Sequence, residues 1–189
     1  MRKLTAMFSL VLALGGAAAA QAQEATGSTT DTKSLSVTGN VPAMCAGGTI
    51  TSGAGTFPLG VLIDTTTGLL RTDLAAPDKV LAGSFCSTRS TITIGATALA
   101  AQNFTSAAPS GFSRSVDYTA TAQGWTVTPA AYTTGAAANA AATQTRASAF
   151  SGDITVHIGD FATTGGATLR PVADNSYLGT VTITLATAN

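Results

Sequence analysis

Short runs in which apolar and polar residues alternate recur along this chain, and their period of two is that of β-strands with one buried face. Leu35, Val37 and Val41 alternate with polar residues in SLSVTGNVPAMC, which reads as a half-buried first strand ending at Cys45. A TSGAGT turn follows, then a second apolar segment at residues 57–63 (FPLGVLI). Residues 80–94 are the densest core candidate, with Phe85, Ile92 and Ile94 around Cys86 and a clean alternation from Ser90 to Ile94. In residues 115–122 (SVDYTATA), Val116, Tyr118, Ala120 and Ala122 share one face, and Trp125 and Val127 come next in GWTVTP. Residues 153–161 (DITVHIGDF) place Ile154, Val156 and Ile158 inward and His157 outward. Residues 177–185 (YLGTVTITL) place Val181, Ile183 and Leu185 inward with Thr outward.

Between these runs lie turn residues such as DTTTG and APDK, the latter stretch crossing between sheets. Residues 132–147 are Ala-rich and of low complexity, and suit either a short helix or a surface excursion. No long helical period and no fixed repeat is present. Six to eight short strands separated by Gly, Pro, Asn and Asp turns predict an all-β, antiparallel β-sandwich. The competing exported architecture, an outer-membrane barrel, needs spans of about ten alternating residues and aromatic girdles. This chain is 6% aromatic and ends in the small, polar ATAN, which favours the sandwich.

The N-terminus changes the setting. Arg2 and Lys3 precede an apolar run from Leu4 to Leu14, and small residues lead to Ala20-Gln21-Ala22. This is the layout of a secretory signal peptide, 1–22, cut after Ala22. The apolar run is short for a membrane span, which needs about 20 residues. No Cys adjoins the cleavage site to carry a lipid. Residues 23–33, containing EATGSTTDTK, lack large apolar side chains and read as a flexible tail; residues 34–189 then form a single sandwich domain.

Formal net charge is zero and only 10% of residues are charged, which disfavours nucleic acid or anionic membranes as partners. Both cysteines, Cys45 and Cys86, lie in the exported part, where two lone cysteines pair. Their bridge would close a loop of about 40 residues and stabilise by roughly 4 kcal/mol in the chain-entropy picture.

Candidate chemistry is sparse. His157 is the sole histidine, and although Asp153 and Asp160 are near, no G-x-S-x-G turn accompanies it. Asp64, Asp73 and Asp78 lack the alternating ligand spacing of a calcium loop, and Asp64 and Asp78 read as turn formers. Asn103-Phe104-Thr105 fits the N-glycosylation pattern. Gly53-Ala54-Gly55 is too short for a phosphate loop. No enzyme signature, metal set or cofactor motif emerges. Tyr118, Trp125 and Tyr132 are the one candidate stacking platform for a sugar, with ordinary core packing as their plainer role.

Several segments together resemble a known family. Leu35-x-Val37-x-Gly39-x-Val41 leads into Cys45, followed by Phe57-Pro58-Leu59-Gly60 and Gly83-Ser84-Phe85-Cys86. The chain closes on Tyr177-x-Gly179-x-Val181-x-Ile183-x-Leu185. This set resembles the exported subunits of chaperone–usher pili, in particular the archaic branch with spore coat protein U-like domains. The resemblance implies an immunoglobulin-like sandwich that lacks one strand. It also implies a periplasmic chaperone and an outer-membrane usher as partners, a polymer of like subunits, and a destination at the cell surface. A strand from the chaperone, and then the N-terminal extension of the next subunit, would fill the gap. Val181, Ile183 and Leu185 would line that groove, and a Cys45–Cys86 bridge would clamp the first two strands. The alternative expectation is a self-complete secreted sandwich that binds surface polysaccharide or another ligand.

Overall fold

The structure is a computed structural model that describes residues 30–188. The expected signal peptide lies outside the described residues. The chain divides into residues 1–39 and a compact body of residues 40–189. The compact body begins at Asn40.

In chain order the strands are β1 (Cys45–Ala46), β2 (Thr49–Ile50), β3 (Lys79–Cys86), β4 (Ser90–Ala96), β5 (Leu99–Ala101), β6 (Phe112–Ser113) and β7 (Ser115–Gln123). They continue with β8 (Ala130–Thr133), β9 (Thr143–Arg146), β10 (Phe150–Thr163), β11 (Arg170–Pro171), β12 (Tyr177–Leu178) and β13 (Val181–Thr187). No α-helix occurs among the described residues; one 3-10 turn, Ala140–Ala142, joins β8 to β9. The larger sheet runs β1-β3-β10-β7-β5-β12, with β2 also on β3 and β8 also on β7. The second sheet is β13-β4-β9, and both sheets are antiparallel. A short parallel pair, β6 with β11, lies apart from them. The architecture is an all-β sandwich.

The alternating runs at residues 90–94, 115–122, 153–161 and 181–185 become strands because their apolar sides face the other sheet. Ile92 and Ile94 of β4 meet Tyr118, Ala120 and Ala122 of β7 and Ile154, Val156 and Ile158 of β10 in one buried cluster. Burial of such side chains is the main force holding two sheets face to face. Cys86 at the end of β3 belongs to the same cluster and is bonded to Cys45 of β1. On the outer face of β7, the partly buried Asp117 accepts from the hydroxyls of Thr134 and Thr164 at 2.9 and 2.7 Å.

Two expectations change. Residues 35–44 form no strand, and the chain there is exposed. The Ala-rich stretch is strand at its two ends, where β8 pairs with β7 and β9 with β4, and between them residues 134–142 form a mostly exposed connection with the 3-10 turn Ala140–Ala142. Cross-strand Thr pairs, Thr119 with Thr133 and Thr93 with Thr143, supply the fit that the low apolar content does not.

Candidate strand-acceptor edge

β13 is the last strand of the body and an edge of its sheet. Its register on β4 sets Val181 against Ala96, Ile183 against Ile94 and Leu185 against Ile92. The three inward side chains of β13 pack against the core cluster yet are only partly buried, whereas Ile92 and Ile94 beside them are fully buried. Among the described residues β13 pairs with β4 alone, so its outer row of N–H and C=O groups has no strand beside it. An open edge with apolar side chains half covered is a template for a further strand.

The ends of β13 are fixed. At its head, Tyr118 Oη donates to Thr180 O at 3.1 Å, and the Thr97 and Thr180 hydroxyls lie 3.0 Å apart. Gly179 just before it passes so close to Thr97 O that a Cβ there would sit at 2.7 Å. At its foot, Ala188 N donates to Arg89 O in the β3–β4 turn.

The segment expected to be the first strand has the complementary character. Leu35, Val37 and Val41 are 90%, 98% and 82% exposed, with no strand partner among the described residues. The alternation is visible in the sequence; its lack of a strand partner among the described residues is not. The signal that separates it from an ordinary strand is Pro42, standing between the alternating run and Cys45.

A cleft of about 1070 Å³ opens between residues 57–63 and 170–177, with Phe57, Leu59, Phe112 and Tyr177 among its walls. Arg170 lies at its side, with Nε donating to Thr67 O. Phe57 and Leu59 also pack on the main core. Asp174 pins one wall. Its carboxylate accepts from the backbone N–H groups of Asn103, Phe104 and Ser176 and from Asn103 Nδ2, at 2.7–2.9 Å. Desolvation acts to raise its pKa, but these hydrogen bonds outweigh it and hold the group at about 2. The Asn103 amide, engaged by Asp174 and Asn175, is committed to this knot.

The other candidate residues do not converge. Trp125 is completely buried and packs edge-on against Phe150, and Tyr118 is buried in the same cluster. Only Tyr132 is partly accessible, so these three aromatics form core rather than a sugar-stacking surface. Gly124, at φ +94°, turns the chain so that the indole enters the core, and a Cβ there would meet Asp153 O at 2.6 Å. Arg146 seals the indole from outside, donating to Trp125 O and stacking over Phe150.

His157 points outward, as its register requires, and its Nδ1 lies 2.7 Å from Asp78 Oδ1 with both side chains about half exposed. No nucleophile joins the pair. Asp64 caps its turn by accepting from the N–H groups of Thr67 and Thr66, which lower its pKa, and Asp73 is paired with Arg71. Among the described residues no cluster of His, Cys, Asp or Glu suits a metal ion, and no helix is long and apolar enough to cross a membrane.

No family model matches this chain, and no curated protein or solved structure does either.

Proposed function

We propose that this protein is an exported structural subunit of a surface fibre or coat, assembled by β-strand complementation. One observation carries the reading: a single chain holds both halves of a strand-exchange joint. The acceptor is the open edge of β13, with Val181, Ile183 and Leu185 half covered. The donor is the segment bearing Leu35, Val37 and Val41, whose alternate apolar side chains are almost wholly in water. Leaving three such side chains exposed is costly for a soluble chain unless another surface covers them. Main-chain hydrogen bonds along β13 would give affinity, and the alternate side chains would enter the gap beside the core.

The Cys45–Cys86 bridge supports an oxidising destination, and the leader-like N-terminus supports export. On this reading a periplasmic chaperone shields the β13 edge before assembly, and an outer-membrane usher brings subunits together.

A mixing experiment tests it. Val37→Asp spoils the donor and leaves the edge; Ile183→Asp spoils the edge and leaves the donor. Each variant alone is expected to lose the concentration-dependent association of the oxidised wild type in size-exclusion chromatography with light scattering. Mixed together they are expected to form a one-to-one complex. Two variants that associate as the wild type does, or a mixture that stays monomeric, would sink the proposal.

A further inference from the structure

We infer that the cleft between residues 57–63 and 170–177 binds a dissolved anionic amphiphile, with the acidic head on Arg170 and the apolar body along Phe57, Leu62, Leu99 and Phe112. The site is separate from the strand-acceptor edge, since none of Val181, Ile183 and Leu185 lines it. Main-chain bonds hold both walls, so the space is built into the fold. On one side residues 62–71 fold into a hairpin, with Arg71 N donating to Leu62 O and Asp64 N to Leu69 O, both at 2.9 Å. On the other side β11 lies parallel to β6, and Arg170 N and Val172 N donate to Gly111 O and Ser113 O at 3.0 and 2.9 Å. Tyr177 Oη donates to Val172 O at 2.8 Å and ties that wall to itself.

The lining is apolar and carries one unmatched charge. Val61 and Phe112 are 61% and 40% exposed, and large apolar side chains gathered on a concave surface mark a binding groove. Two charged side chains line the cleft, Arg170 and Asp174. Asp174 is taken up by the N–H groups of Asn103, Phe104 and Ser176 and by the Asn103 amide. In the hairpin that Arg170 reaches, Asp64 is committed to the N–H groups of Thr66 and Thr67, and Asp73 to Arg71. Arg170 itself has no carboxylate partner among the described residues. Its Nε donates to Thr67 O at 3.1 Å, which fixes the guanidinium and leaves its other donors without a partner. The stem lies over Gly68, where a Cβ would come within 3.3 Å of it. The β6–β11 register sets Phe112 against Arg170, both on the exposed face, with Ser113 and Pro171 buried. A fixed guanidinium takes a carboxylate, sulfate or phosphate by two-point contact, and a head held there has its body beside Phe112. The volume of about 1070 Å³ lies just above the usual range for small-molecule sites, roughly 300–1,000 Å³, and has room for a long apolar chain. One free cation on a chain of zero formal net charge suits a single dissolved molecule. An anionic bilayer is instead attracted by clusters of Lys and Arg.

Calorimetric titration of the oxidised full chain with laurate, dodecanol and dodecyltrimethylammonium, each below micelle formation, tests head and body separately. Laurate is expected to bind at one site, about tenfold or more tighter than dodecanol, the size of a hydrogen-bonded charge contact. The cationic amphiphile is expected to bind more weakly than either. Amide NMR shifts at saturation should cluster in residues 57–63 and 170–177. Arg170→Met should bring laurate down to the level of dodecanol and leave dodecanol unchanged, and Arg170→Glu should turn the preference toward dodecyltrimethylammonium. Phe112→Ser should weaken laurate and dodecanol alike. Arg170 and Phe112 are both exposed, and an unchanged urea midpoint checks that each variant is folded. No binding of laurate, equal binding of laurate and dodecanol, or laurate binding indifferent to Arg170→Met would overturn the inference. Shifts centred on residues 181–187 would overturn it too, because the amphiphile would then be filling the open edge of β13. Binding to vesicles containing phosphatidylglycerol, with none to monomeric laurate, would make this face a membrane contact and end the proposal.

Discussion

The two edges of the smaller sheet are finished differently. On the β9 side, residues 134–142 carry the chain from β8 of the larger sheet to β9 of the smaller one, and Trp125, Ile92 and Ala130 of β8 are fully buried. On the β13 side nothing follows among the described residues, and Ile183 and Leu185 remain partly accessible although they sit directly opposite the buried Ile94 and Ile92. Neighbouring residues of the same type, in register on adjacent strands, differ only in whether another element covers them. The lesson is that the open side is held by local fastenings while the closed side is held by burial. Removing either kind of support should therefore give different results.

The largest loss is expected from the fastening of β1 to β3. Replacing Cys45 and Cys86 with Ala removes a cross-link over 41 residues, which costs about 4 kcal/mol in the chain-entropy picture. Urea unfolding of the paired variant against the oxidised wild type measures it. A loss below about 1 kcal/mol would mean that the closed side alone sets stability, since a bridge over a loop this long normally contributes far more.

Next comes the direct comparison across the register. Ile94→Ala should cost about 3 kcal/mol, as expected of a fully buried position, and Ile183→Ala, half covered, about 1 kcal/mol. Equal costs would show that β13 is covered in solution. In the assembled form the two values should converge, because a docked strand would bury Ile183 as deeply as β4 buries Ile94.

How much of this was legible follows from the same contrast. Periodicity of two identified the residues of β7, β10 and β13 with the correct inward faces, since those strands alternate over five or more residues against a continuous core. It failed at residues 35–41, where an alternating run looks the same whether its partner lies in the same chain or in another. It also failed at β8 and β9, because Ala and Thr give too little contrast for alternation to show. The pattern left Trp125 open between a stacking platform and ordinary core packing, because the positive φ of Gly124, next to the buried indole, leaves no mark in a pattern of hydrophobicity. The inward residues of the last strand, Val181, Ile183 and Leu185, were legible, but their partial burial needed the neighbouring strands.

A smaller effect is expected at the head of β13. Tyr118 Oη is the link from the larger sheet to Thr180. Tyr118→Phe should cost about 1 kcal/mol, the usual size of one partly buried hydrogen bond. It should also speed amide exchange at the start of β13 more than at β4. Uniform acceleration across both strands would show that the head of β13 opens only with the whole sandwich.

The smallest change is local and depends on pH. Asp174 joins the loop after β5 to the loop leading into β12, and so steadies the approach to the open edge by polar contacts rather than by burial. Its pKa falls from 3.8 to about 2 in the folded chain. A carboxylate whose folded pKa is depressed contributes stability that is fully present above its unfolded value and is lost as pH drops through the folded one. Between about pH 4 and pH 2, then, these loops should loosen while the closed side, whose support is apolar, does not respond. Hydrogen exchange read at pH 4, 3 and 2 should show residues 101–105 and 173–178 losing protection ahead of residues 116–122. Asp174→Asn, which keeps one acceptor oxygen but does not titrate, should start less protected and remain flat across that window. Simultaneous loss on both sides in the wild type would place the acid response elsewhere and erase the distinction between a fastened edge and a buried one.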